Sequence, residues 1–131
     1  MTHAAGTFTV ASWDESTYRE LDAGAKLTKA SVAFTLDGDI AGQASWEAVM
    51  CYRTDGTAAY TGLQHVEGTV GGTAGSFVLQ ADGEFAGGEA RSRWTVVPGS
   101  GTGALAGLTG SGSAVAGAAP PGSFEFDYTL G

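Results

Sequence analysis

Residues 40–70 read IAGQASWEAVMCYRTDGTAAYTGLQHVEGTV, two runs of alternating side chains either side of an Asp55-Gly56 dipeptide. Asp-Gly suits a hairpin turn because glycine takes positive φ without strain. The flanking runs carry Val, Thr, Tyr and Trp, residues that suit a pleated surface. The segment therefore reads as two long antiparallel strands, Ile40–Arg53 and Thr57–Val70, joined by a tight turn.

The same punctuation recurs at Asp37-Gly38, Gly71-Gly72, Asp82-Gly83 and Gly87-Gly88. Working outward from the central pair, it marks off six more strands: Gly6–Trp13, Leu27–Leu36, Ser76–Ala81, Glu89–Val97, Gly103–Ala116 and Ser123–Leu130. Eight strands, short turns and no convincing helix predict an all-β, closed eight-stranded antiparallel barrel, since closure removes exposed edges. Two segments break the rhythm. Asp14–Ala25 (DESTYRELDAGA) is polar and is expected as a loop or one helical turn across a barrel mouth. Ala116–Gly122 (AGAAPPG) is expected as a loop, because Pro120-Pro121 cannot donate ladder hydrogen bonds.

Composition agrees with one domain over residues 1–131. Glycine, 22 of 131 residues, is more than twice the usual share of about 7% and suits many turns and closely packed strands. The net charge of −8 and the lack of Lys and Arg in 54–90 and after Trp94 leave no basic stripe. Nucleic acid and anionic membrane surfaces are therefore not expected partners. A single cysteine, Cys51, excludes an internal disulfide, and no signal-like start or membrane-length apolar run is present, so a cytoplasmic protein is expected.

Three stretches carry a resemblance to a known family: TFTVASWDE (7–15), GSFVLQADGEF (75–85) and VVPGSGTGALAGLTGSG (96–112). They resemble a bacterial family known as domain of unknown function 3224, over Gly6 to Tyr128. That family is similar in fold to allene oxide cyclase, an eight-stranded barrel with an apolar cavity. The resemblance implies architecture and a homo-oligomer, dimer or trimer; the cyclase's catalytic residues do not match position by position, so its activity does not carry over.

Strand pairing predicts which side chains share a face. A two-residue turn at Asp55-Gly56 sets Trp46 opposite His65, Met50 opposite Thr61 and Tyr52 opposite Ala59. Continuing through Gly71-Gly72 places Glu67 beside Ser76, His65 beside Val78 and Leu63 beside Gln80. The sixth strand adds Ala90, Ser92, Trp94 and Val96. The expected pocket is thus apolar and aromatic, with Trp46, Met50, Tyr52, His65, Glu67, Gln80 and Trp94 as ligand-binding candidates. The other face, with Glu47, Cys51, Arg53, Tyr60, Gln64, Glu89, Arg91 and Arg93, is expected outside, Phe77 and Leu79 forming a contact patch.

His65 and Glu67 are the catalytic candidates, since a His beside a carboxylate can act as general base or acid. A plain polar pair facing solvent is the other reading. Gln80 could orient a ligand carbonyl or satisfy a neighbour. Cys51 reads as an inert structural thiol, and the Gly99–Gly103 run meets neither nucleotide fingerprint. Two His and one Cys on different faces do not make a metal site, and no cofactor is implied. The functions compatible with these residues are binding of a hydrophobic or aromatic small molecule, cyclase- or isomerase-type catalysis by confinement, and a filled barrel serving structure or interaction.

Overall fold

Nine strands and one short turn of 3-10 helix make up the computed structural model, which describes residues 1–130. They are β1 (Thr2–Glu20), β2 (Lys26–Gly38), β3 (Ile40–Tyr52), β4 (Ala58–Val70), β5 (Thr73–Ala86), β6 (Glu89–Val96), β7 (Thr102–Gly103), β8 (Leu108–Ala116) and β9 (Gly122–Leu130). Every pairing is antiparallel. Neighbours run β1-β2-β3-β4-β5-β6-β8-β9, and β9 returns to β1, so eight strands close into a barrel as the turn pattern predicts. The two-residue β7 lies outside the ring, paired to Gly75 and Ser76 of β5.

Three expectations about the elements change. The polar segment after Trp13 is mostly strand: β1 continues to Glu20 against β2, and the 3-10 turn covers Asp22–Gly24 alone. Register shifts at Val10/Ser12 and Thr17/Arg19 interrupt the alternation there, which hides a strand from a period-two reading. Asp82-Gly83 is not a turn but lies within β5, and the chain reverses at Gly87-Gly88. Gly83 is there because a Cβ would sit 2.8 Å from the Tyr60 hydroxyl and closer still to a backbone carbonyl of β6. The predicted seventh strand is split: Leu105, between β7 and β8, turns inward and is fully buried.

The most consequential change is one residue at the β3–β4 turn. Tyr52 pairs with Ala58, and the Arg53 amide donates to the Thr57 carbonyl at 2.8 Å, so the loop holds Thr54, Asp55 and Gly56. Gly56 takes the left-handed conformation (φ +87°) that closes such a loop. The Asp55 carboxylate accepts from the Thr57 amide at 3.0 Å and its hydroxyl at 2.6 Å, which fixes the third residue in place. Trp46 consequently faces Gln64 instead of His65. The Gly71-Gly72 turn has the predicted register, so β4 and β5 carry the inversion together.

Candidate functional site

The inward positions of the strands divide the barrel interior into two ends. At one end, where β2 passes to β3 and β4 to β5, Leu36, Ile40, Val66, Val70, Phe77 and Tyr128 pack with Leu105 and Leu108. At the other end the inward positions hold small residues among aromatic rings, and a cavity of about 310 Å³ remains. Its rings form a continuous series. Tyr60 meets Trp46 edge to face with centroids 5.3 Å apart, Trp46 lies beside Phe34 at 6.5 Å, and Phe34 meets Phe8 edge to face at 5.7 Å. Phe8 then reaches across to Trp94 at 5.9 Å, which stacks on Phe124 at 5.4 Å. Val10, Trp13 and Phe85, each about half exposed, also line the cavity and form its rim.

Trp46, Met50, Tyr52 and Trp94 stand in this wall, on the face the sequence assigns to them. His65, Glu67 and Gln80 do not. The three-residue turn puts all three on the outer surface, exposed. His65 Nδ1 and Glu67 Oε1 are 4.0 Å apart, side by side on the solvent face of β4. Gln80 Nε2 donates to Asp82 Oδ2 at 3.2 Å. In exchange Tyr60 and Gln64 turn into the cavity, and Phe77 and Leu79 into the core, all four expected outside. A signal for this was present in β4. The set Ala58, Tyr60, Gly62, Gln64, Val66 is free of charge, while its alternate holds His65 and Glu67, and charges are rarely buried.

Polar groups in the wall are few. The Tyr60 and Ser92 hydroxyls bond each other at 2.7 Å, and burial pushes the Tyr60 phenol up from its ordinary value. Trp46 Nε1 and Gln64 Nε2 are buried with no hydrogen-bond partner. At the mouth, Glu15 gathers three donors: Tyr52 Oη and Thr28 Oγ1, each 2.6 Å from Oε2, and Trp13 Nε1, 2.9 Å from Oε1. Partial desolvation pushes the Glu15 carboxyl up, but the three hydrogen bonds outweigh it and hold it below the usual range. Desolvation and the Glu15 charge push Tyr52 up to about 12, so it stays a neutral donor. Lys26 Nζ lies 5.2 Å from the Tyr52 ring centroid, beside this cluster. Glu15 is absent from the sequence candidates because the polar stretch Asp14–Ala25 reads as a loop or a helical turn, whereas Glu15 lies in β1.

Cys51 is half-buried on the outer side of β3. Among the described residues no three His, Cys, Asp or Glu side chains converge as a metal site would require, and no helix is long and apolar enough to cross a membrane.

Known proteins resembling the chain share the barrel. A crystal structure of a protein of unknown function from Shewanella oneidensis MR-1 superimposes with a TM-score of 0.86 at 28% identity, covering 100% of this chain and 98% of that one. No curated protein matches. The family model described as "Protein of unknown function (DUF3224)" matches residues 4–128, and the chain belongs to that family.

Proposed function

We propose that this barrel binds an apolar or aromatic small molecule in the cavity at its open end. The observation that carries the reading is the cavity itself: about 310 Å³, walled by aromatic rings and small side chains, in a barrel whose other end is filled. That size and lining are typical of small-molecule sites. Binding is favoured over acid–base catalysis by the chemistry of the wall. None of its residues is Asp, Glu, His, Lys, Arg or Cys, and both its tyrosines are held neutral by raised pKa values. The nearest carboxylate, Glu15, is engaged by three donors and is a weakened base.

Titration with the neutral dye N-phenyl-1-naphthylamine tests the reading. Saturable one-to-one binding is expected, with quenching of tryptophan emission because Trp46 and Trp94 form the wall. Ala114→Leu, which fills the cavity from β8, should weaken it at least tenfold. Absence of saturable binding, or binding indifferent to the filled wall, would overturn the proposal.

A further inference from the structure

Gln64 is the polar residue that the fold does not explain. It projects from the middle of β4 into the barrel, is 2% exposed, lines the cavity, and its Nε2 has no partner. Directly across the ladder, Trp46 is 6% exposed and its Nε1 is likewise unpartnered, lying over Gly62 where a Cβ would come within 2.9 Å. Burying an N–H without an acceptor is costly, and native interiors rarely do it. Here the two residues that carry such donors pair across adjacent strands, and both line the cavity. The hydroxyl pair in the wall, Tyr60 with Ser92, satisfies itself.

The geometry points to a ligand that is uncharged and carries a carbonyl or equivalent acceptor oxygen, received by Gln64 Nε2 with Trp46 Nε1 beside it. This rests on the binding reading above and narrows it to a chemical class. Two buried N–H donors without partners select for a lone-pair oxygen. An anionic oxygen is disfavoured on three counts. No cationic side chain lines the cavity, the mouth carries the Glu15 carboxylate, and the chain bears a net charge of −8. Lys26, the cation at the mouth, sits over the Tyr52 ring beside Glu15 and is balanced there. The apolar body of the ligand would lie among Phe8, Phe34 and Trp94.

Three naphthalenes of similar size test this: 2-acetylnaphthalene, 2-ethylnaphthalene and 2-naphthoate. A ketone gives up hydration that a hydrocarbon never has, so raw affinities do not rank the contact; the change on substitution does. Gln64→Met keeps the volume and removes the donor. The expected result is about a tenfold loss of ketone affinity with the hydrocarbon within about twofold of wild type. The bound ketone's C=O stretch should lie below its value in alkane in the wild type and move back towards it in the variant. Naphthoate at pH 7 should bind at least tenfold more weakly than the ketone. Because Gln64→Met removes an unsatisfied group, its urea midpoint should be unchanged or higher. Equal losses for ketone and hydrocarbon, an unshifted C=O stretch in the wild type, naphthoate binding as tightly as the ketone, or a fall in midpoint would each overturn the inference while leaving the pocket intact. If the wild type takes up neither neutral compound, the binding reading itself fails.

Discussion

The two ends of the barrel are built from the same eight strands, yet one is solid and the other hollow. Strand number sets the width of a barrel, and eight strands leave an interior that side chains can just fill. At the solid end Ile40, Val70, Phe77, Leu108 and Tyr128 supply that volume, and Leu105 enters from the β7–β8 connection to complete it. At the hollow end the inward positions of β4, β5, β6 and β8 include five alanines, Ala58, Ala81, Ala90, Ala114 and Ala116. The cavity is therefore a product of residue size at fixed positions, not of a wider or irregular barrel. Large rings and small alanines alternate around one space, and the rings hold each other upright without it.

The sharpest way to break this contrast is to truncate one ring from each end. Phe126, 1% exposed, should cost about 3–5 kcal/mol on change to alanine, read from urea unfolding. Phe34, with the cavity on one side, has fewer contacts to lose, and Phe34→Ala should cost at least about 1 kcal/mol less. Equal costs would mean that the hollow end closes around its rings in solution. Additions give the reverse comparison with a smaller effect. Ala4→Leu forces volume into the packed end and should cost about 1–3 kcal/mol. Ala81→Leu should be near neutral, since the cavity receives the new atoms.

The smallest difference is in pH dependence, because each end carries its own titrating group. At the open end the Glu15 carboxyl lies below its ordinary 4.5 when folded, so its contribution is present above about pH 4.5 and lost as pH falls through the folded value. On the side of the closed end, His3 Nδ1 lies 2.9 Å from Asp127 Oδ1 across β1 and β9, and that hydrogen bond raises the His3 pKa above 6.5. Its contribution is present below about pH 6.5 and lost as pH rises through the folded value. Glu15→Gln should flatten the acid limb of a urea-midpoint profile and leave the neutral limb alone; His3→Gln should do the opposite. A variant that altered both limbs would show the ends to be coupled.

The barrel was legible because glycine dipeptides and β-branched runs mark strands directly in the chain. Membership of the cavity wall was legible in part. Trp46, Met50, Tyr52 and Trp94 lie on strands whose face follows from a run of apolar residues, and they point inward. His65, Glu67 and Gln80 depended on the length of one loop. Asp-Gly is the sequence mark of two-residue and three-residue hairpins alike, and a single residue separates the two. What decides between them is the Thr57 side chain and amide on Asp55, a contact visible once the loop is folded. Gln64 was hidden by the same step, since an amide carries no sign of the face it occupies.

β1 has one further consequence. It runs for 19 residues, but β9 leaves it at Phe8, so from there to Glu20 its ladder pairs with β2 alone. A row of free N–H and C=O groups on a strand that also shows Trp13 and Tyr18 to solvent is the surface on which one chain can copy itself onto another. The two irregularities in β1 answer that hazard. They kink the row at Val10/Ser12 and Thr17/Arg19, and Asp14, Arg19 and Glu20 set charge along it. The residues that disguise this segment as a loop are thus the ones that interrupt its unpaired edge.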